Sequence, residues 1–164
     1  MIFRQLFDRE TCTYTYLLAD EDTREAVLID SVREHYDRDR SLLEELGLTL
    51  RYTLETHIHA DHVTASGLFR ARVGSRSAVS ALGGASCADI HLADGDTLTF
   101  GSQTIEARAT PGHTSGCMTF VHHGQGMAFT GDTLFIRGCG RTDFQQGDAA
   151  TLYRSVHGLS LIHI

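Results

Sequence analysis

The chain has 164 residues, of which 41% are hydrophobic and 21% charged, a composition typical of one globular domain with a substantial core. Its formal net charge of −7 disfavours nucleic acid and anionic membranes as partners, because both attract clustered lysine and arginine. No apolar run approaches the ~20 residues that span a bilayer. The N-terminus also lacks a hydrophobic or arginine-rich leader, so the sequence predicts a cytoplasmic protein that acts on a small molecule.

The first third of the chain predicts an antiparallel meander followed by a crossover helix. Alternating apolar residues separated by turn-like clusters of Asp, Glu and Thr are typical of short strands. The stretch 41–47 then places its leucines on one helical face and ends at a glycine, which is a common helix stop. The three predicted strands span residues 2–7, 13–19 and 25–29, and a fourth spans residues 51–56.

Four of the seven residues in the segment 56–62 have side chains that bind metals. They follow the fourth predicted strand and precede a stretch of helical periodicity, so they lie where open sheets usually place their chemistry. His57 and His59 are two residues apart and point the same way if the strand geometry continues, while Asp61 and His62 follow in the turn. Histidine is the commonest metal ligand, and crowded imidazoles repel one another once protonated. The segment therefore predicts a metal site, with a hydrogen-bonded polar loop as the alternative.

Two later loops carry further ligand-type side chains. His113 lies in the loop 110–116, and Asp132 lies in the loop 130–133; each loop follows a predicted strand. A lone loop histidine is more often solvated, and a lone loop aspartate more often completes a turn. Because both residues share the topological position of His57, we expect them at the same site. The hairpins around these loops are predicted to pair residues 97–100 with 103–109 and 117–121 with 127–130.

The remaining polar residues are assigned to structure rather than to the site. The four cysteines are widely separated and contain no CxxC pair, so free thiols are expected, and a packed thiol is as good an interpretation of Cys139 as any redox role. Asp30 either supports the site from outside the ligand set or simply ends its strand. Five other histidines are interpreted as surface or structural residues: His35, His91, His122, His123 and His157.

Three ordered motifs resemble those of the metallo-β-lactamase superfamily. They are T-H-x-H-x-D-H at residues 56–62, P-G-H-T at 111–114 and T-G-D at 130–132. The predicted elements agree with a layered α/β (α+β) protein, and the resemblance implies an αββα sandwich with its metal site at one sheet edge. The sandwich would occupy residues 1–158, and its second half would be incomplete because the family continues well beyond this point.

Within that superfamily, residues 134–147 closely resemble the persulfide dioxygenases, as do residues 3–8 and 13–18. The resemblance implies one Fe(II) per chain bound by His57, His113 and Asp132, with zinc as the alternative metal. It implies oxidation of glutathione persulfide by O2 to sulfite and glutathione. It also implies that His59, Asp61 and His62 of the first motif are catalytic residues outside the ligand set. Arg141 would bind a carboxylate of glutathione through two parallel hydrogen bonds.

Two other functions remain open for the same loops. A glyoxalase II-like thioesterase would hold two metals, one on His57, His59 and His113 and the other on Asp61 and His62, bridged by Asp132. An inactive fragment of either enzyme is the third hypothesis. A homodimer is also left open.

The last six residues, 159–164, are predicted to be a non-native tail. They begin where the family resemblance stops, and their codons can match a transposon end sequence used in preparing sequencing libraries. The chain before them is accordingly expected to be a truncated gene product.

Overall fold

The computed structural model describes residues 1–159 and arranges them in two β-sheets with helices outside the first. The first sheet has six strands in the order β1-β2-β3-β4-β5-β6. Strands β1 to β3 are antiparallel, as the meander predicted, and β3 to β6 are parallel. These strands are β1 (Ile2–Phe7), β2 (Tyr14–Ala19), β3 (Glu25–Ile29), β4 (Thr49–Leu54), β5 (Arg76–Ser80) and β6 (Ile90–Leu92).

The second sheet is antiparallel throughout, with its four strands in the order β10-β9-β8-β7. Both hairpins are those predicted from the turn signals. The strands are β7 (Thr97–Phe100), β8 (Gln103–Ala109), β9 (Met118–His122) and β10 (Met127–Phe129).

The main apolar core lies between the two sheets. Alternate residues of each strand face it, as the period of two requires, and Phe100, Ile105 and Phe120 of the second sheet pack against Ile29 and Leu54 of the first. Phe120 and Leu54 are completely buried. This packing holds the carboxyl ends of strands from both sheets along one edge.

Helices α1 (Tyr36–Glu45) and α2 (Ser66–Val73) cover the other face of the first sheet. Their contact centres on Tyr36 and Phe69, whose ring centroids lie 4.7 Å apart, above the side chains of Leu17 and Leu28. The architecture is the layered α/β arrangement expected from the sequence.

Helix α3 (Ala149–Gly158) packs beside the loop that follows β8. The Ser155 hydroxyl donates a hydrogen bond to the Pro111 carbonyl at 2.6 Å. A Cβ atom at Gly112 would lie 2.3 Å from the Leu152 Cα atom, so only glycine allows the helix to approach this closely. The loop carrying His113 is therefore held from outside by α3.

None of the helices in residues 1–159 has the length and hydropathy needed to cross a bilayer. Of the predicted tail, Leu159 is buried at the end of α3. Residues 160–164 lie outside the described residues, so the non-native tail stays a prediction.

Candidate metal centre

Three loops meet at one end of the space between the sheets. His57 follows β4, His113 follows β8, and Asp132 lies in a short 3₁₀ turn after β10. One ligand atom from each of the three side chains can be chosen so that all lie within 4.8 Å of one another. The structure thus brings together the three residues predicted as ligands, from positions up to 75 residues apart in the sequence.

The three side chains have the geometry of an open ligand set. His113 Nε2 lies 3.3 Å from Asp132 Oδ2, and the ring centroids of His57 and His113 are 5.0 Å apart and nearly perpendicular. Both imidazoles are buried, whereas the Asp132 carboxylate is partly exposed to the cavity. Two imidazoles and a carboxylate on one side of a metal ion would leave its other side free for further ligands.

Each of the two histidines has its Nδ1 atom engaged by the protein. His113 Nδ1 donates to the Arg141 carbonyl at 2.7 Å. His57 Nδ1 lies 3.0 Å from Thr56 Oγ1, and this hydroxyl already donates its proton to Asp30 Oδ2 at 2.8 Å, so it accepts from the imidazole. Both rings are consequently fixed in the tautomer that leaves Nε2 unprotonated and available to a metal.

A second cluster, made of His59, Asp61 and His62, lies directly beside the first. Its ligand atoms also fit within 4.8 Å, and the His59 and His62 ring centroids are 4.4 Å apart. His62 Nδ1 is 3.2 Å from Asp61 Oδ1. Even so, neither ring nitrogen of the buried His62 has a partner in hydrogen-bond geometry among residues 1–159. Buried polar atoms are rarely left unpaired in this way, so the donor atoms of this second cluster also suit a bound ion, as the two imidazoles and the carboxylate of the first cluster do.

The pKa values of His57 and His59, two of the three histidines in the first loop, are shifted in opposite directions. Burial, together with the charge on His59, lowers the pKa of His57 to about 3, so this imidazole is neutral and needs no deprotonation before binding a metal. Burial also opposes protonation of His59, but its contacts with Asp30, Glu55 and Asp61 prevail and raise its pKa to about 9. A metal at His59 would therefore have to displace a proton, whereas a metal at His57 would not.

Two buried carboxylates lie beneath His59. The Asp30 Oδ1 atom is 3.4 Å from His59 Nε2 and accepts the Thr56 backbone N–H at 2.7 Å. Burial opposes ionisation of Asp30, yet the hydrogen bond from His59 and the positive charge of that imidazole hold its pKa below the ordinary value. For Glu55, burial and the Asp30 charge instead raise the pKa to about 8. Near neutral pH, Asp30 is therefore ionised and Glu55 is largely protonated, so one negative charge lies next to the His59 imidazole.

Sequence reasoning left the role of Asp30 open and missed Glu55. Asp30 contacts the metal loop directly and does more than end β3. Glu55 accepts a hydrogen bond from the Ser66 hydroxyl, while its second oxygen lies 3.7 Å from His59 Nε2. The available signal was its position, because it is a carboxylate at the end of a buried strand, directly before the first ligand motif.

A cavity of about 920 Å³ opens above both clusters. Its floor includes His57, His113 and Asp132, and its mouth is bordered by apolar side chains. Four of these are large and exposed: Tyr14, Phe135, Ile136 and Phe144. The cavity can therefore hold a small molecule whose reactive end reaches the metal ligands.

Arg141 also lines this cavity, but its guanidinium is already paired. Its Nε and Nη2 atoms donate to the two carboxylate oxygens of Asp143 at 2.8 and 3.0 Å, and the Phe144 ring lies 5.7 Å away. Both members of this ion pair are largely exposed to solvent, so the pair is weak and exchangeable. The predicted role in substrate binding stays a prediction.

The two-sheet fold, together with the two clusters of potential metal ligands, is typical of a metal-dependent protein. The profile described as Metallo-beta-lactamase superfamily matches residues 11–162, and the chain belongs to that superfamily.

Individual members of the superfamily differ in their similarity to this chain. The mouse protein named persulfide dioxygenase ETHE1, mitochondrial, is 57% identical over 158 residues, which is 96% of this chain and 62% of that protein. The crystal structure of ETHE1 from Myxococcus xanthus superimposes with a TM-score of 0.93 at 49% identity, covering 97% of this chain and 69% of that one. A hydroxyacylglutathione hydrolase of Cereibacter sphaeroides is more distant, at 35% identity over 91% of this chain and 58% of that protein. The chain spans about three fifths of the length of these curated relatives.

The glycines between Asp132 and Arg141 provide a matched test of the site geometry. A Cβ atom at Gly140 would lie 2.5 Å from the Asp132 carbonyl oxygen and 2.9 Å from His113 Nδ1, whereas one at Gly138 would meet nothing within 4 Å. We expect Gly140→Ala to weaken Co(II) binding by about tenfold or more, the scale seen when groups that orient metal ligands are lost, and Gly138→Ala to leave it nearly unchanged. Competition with a coloured chelator measures both. Equal affinities for the two variants would contradict this account of the ligand geometry.

Proposed function

We propose that this chain carries the metal centre of an iron-dependent persulfide dioxygenase. The reaction would convert glutathione persulfide, O2 and water into glutathione and sulfite, on one Fe(II) held by His57, His113 and Asp132. The observation that carries the proposal is the convergence of these two imidazoles and one carboxylate, with both Nδ1 atoms tied back to the protein. The similarity to proteins named persulfide dioxygenase supports it.

The donor set suits the proposed cofactor. Two histidines and a carboxylate on one face are the ligands that non-haem Fe(II) oxygenases use, and they leave room for more than one further ligand. When bound, the iron would supply the redox chemistry that joins dioxygen to the terminal sulfur of the persulfide. The protein's own contribution is to orient the ligands, to hold the substrate and to handle protons.

The second cluster is proposed to manage protons next to the ligand set. The reaction consumes water and releases acidic protons, so groups that exchange protons are needed beside the reacting sulfur. His59 would hold a proton between its Nε2 atom and Asp30 Oδ1, which lie 3.4 Å apart, and Asp61 lines the cavity from the same loop. His62 would exchange a proton with Asp61, whose Oδ1 atom lies 3.2 Å from its Nδ1 atom.

The cavity is proposed to bind the persulfide with its sulfur end toward the metal. The apolar side chains at the mouth, including Phe135 and Phe144, would exclude bulk water from the reacting atoms once a substrate is bound. Arg141 would exchange its contact with Asp143 for a substrate carboxylate. Because the present ion pair is exposed on both sides, this exchange costs little. The cytoplasmic location and the homodimer stay predictions from the sequence.

A glyoxalase II-like thioesterase remains the second candidate, because His59, Asp61 and His62 form a ligand group of their own. In this hypothesis one metal would be held by His57, His59 and His113 and the other by Asp61 and His62, with Asp132 bridging the two ions.

The two candidates differ in metal content and in the reaction. We expect the chain, loaded anaerobically with Fe(II), to hold about one iron and to consume O2 when glutathione persulfide is added, with sulfite as product. Elemental analysis and an oxygen electrode measure these. Two zinc ions per chain, with hydrolysis of lactoylglutathione and no oxygen uptake, would instead establish the thioesterase. An inactive fragment would show neither reaction.

The proposed ligand set can be separated from its neighbours by substitution. His57→Ala, His113→Ala and Asp132→Ala should each abolish iron binding, because a set of three cannot lose a member and hold the ion. His62→Ala should retain measurable iron but turn over more slowly, since it removes only a proton-handling group. Iron content and O2 uptake are compared on the same samples. If His62→Ala lost iron as completely as His57→Ala, the single-metal assignment would be wrong.

Substrate binding by Arg141 predicts a change in KM. Arg141→Ala should raise KM for glutathione persulfide by about ten- to a hundredfold, the scale of losing a charge-assisted contact of ~1.5–3 kcal/mol. Arg141→Lys should rescue poorly, because an ammonium group cannot form the two parallel hydrogen bonds. Steady-state kinetics at fixed O2 provide the measurement. An unchanged KM in the alanine variant would remove Arg141 from the binding site.

A further inference from the structure

The segment 134–147, which follows β10 and precedes α3, contacts each of the three loops that carry the proposed ligands. At its centre, the Gly140 N–H donates to the Asp132 carbonyl at 2.7 Å, and the Arg141 carbonyl accepts from His113 Nδ1 at 2.7 Å. Near its end, the Gln145 side-chain amide donates to the Ile58 carbonyl at 3.1 Å. Ile58 lies between His57 and His59, so this single hydrogen bond joins the segment to the first ligand loop.

The backbone at this end of the segment has an unusual conformation. Gln145 and Gln146 have φ values of 47° and 64°, in the left-handed region that residues other than glycine rarely adopt. Such conformations persist only where surrounding contacts hold them, and they concentrate at functional sites. Three contacts hold it here. The Gly147 N–H donates to the Phe144 carbonyl at 2.8 Å and closes the turn, Gln145 bonds to Ile58, and the Ser115 hydroxyl donates to Gln146 Oε1 at 2.8 Å.

We propose that Gln145 is a positioning residue that keeps the Arg141 carbonyl against His113, a role that rests on the ligand set proposed above. Gln145 lines the cavity and is half-buried. Without its bond to Ile58, the turn at Gln145 and Gln146 would keep its own backbone bond but lose its connection to the first ligand loop, and this end of the segment would shift. The Arg141 carbonyl, four residues away, would then lose its fixed distance from His113 Nδ1. The imidazole could rotate or change tautomer, and its Nε2 atom would no longer be held toward Asp132.

The two neighbouring glutamines allow a matched experiment, because the same substitution has opposite consequences for their hydrogen bonds. Gln145 is the donor in its bond, so Gln145→Glu places a carboxylate against a carbonyl oxygen. Gln146 is the acceptor in its bond, so Gln146→Glu keeps the bond from Ser115. Both variants add one negative charge near the site, so a general effect of charge on cation binding is common to the pair. Gln145→Met removes the donor at similar volume without adding charge.

The first measurement is Co(II) affinity of the full chain by chelator competition, with the Co(II) absorption spectrum as a reporter of ligand geometry. We expect Gln145→Glu and Gln145→Met to weaken binding by about ten- to a hundredfold and to alter the spectrum, the scale of losing a group that orients a metal ligand. Gln146→Glu should bind Co(II) with nearly the affinity and spectrum of the unsubstituted chain. Equal affinities across Gln145→Met, Gln146→Glu and the unsubstituted chain would overturn the proposal, as would equal losses in Gln145→Glu and Gln146→Glu.

The second measurement needs no metal and so stands apart from the proposed reaction. In the metal-free chain, hydrogen exchange of the Gly140 amide should accelerate in Gln145→Met and stay slow in Gln146→Glu, while amides of the core strand β8 remain protected in both. Accelerated exchange throughout β8 would show a merely structural role and overturn the proposal. An unsubstituted chain that binds metal with this pattern but lacks oxygen uptake would contradict the proposed function and leave the role of Gln145 intact.

Discussion

The contact between Asp30 and Thr56 is the interaction on which the rest of the centre depends. The Asp30 carboxylate is 4% exposed and accepts both the backbone N–H and the hydroxyl of Thr56, at 2.7 and 2.8 Å. A buried carboxylate is costly unless its oxygens are hydrogen-bonded, and here two strong donors come from one residue. The contact therefore joins the end of β3 to the first residue of the metal loop. Because the Thr56 hydroxyl donates its proton to Asp30, it can only accept a hydrogen bond from His57 Nδ1. This contact sets the tautomer of the His57 imidazole.

Thr56 also connects this loop to the second sheet. Its carbonyl accepts the Met118 N–H at 2.7 Å, at the start of β9. Its side chain leaves so little space beside it that a Cβ atom at Gly131 would lie 2.3 Å from Thr56 Oγ1. Only glycine therefore fits at position 131, next to the Thr56 side chain. One threonine sets the position of two of the three proposed ligands, although they come from different sheets.

Local sequence patterns predicted the strands well and the contacts between loops poorly. The bounds of β1, β3, β7 and β8 agree with the periodicity because alternating apolar residues and turn residues define them directly. Helix α1 begins earlier than its leucine-rich stretch indicated, at Tyr36. Its first turn is largely polar, and its N-cap residue, His35, makes no side-chain capping bond that would mark the start. The convergence of His57, His113 and Asp132 could be predicted only because each follows a strand. The position of Glu55 at the end of a strand was a signal, but its role depends on burial beside Asp30, which lies 25 residues earlier and which no local pattern pairs with it.

Arg141 shows why side-chain chemistry read from a sequence identifies a site only in part. Its guanidinium suggested a clamp for a carboxylate, yet the contact it makes with the proposed ligand set is through its backbone carbonyl, which every amino acid has. Residue identity at this position therefore cannot report the contact; what matters is the path of the chain. That path depends on Gly140, which has no Cβ to collide with Asp132 and His113, and on the left-handed turn at Gln145 and Gln146. The residues that shape the segment are thus as much a part of the centre as the three proposed ligands.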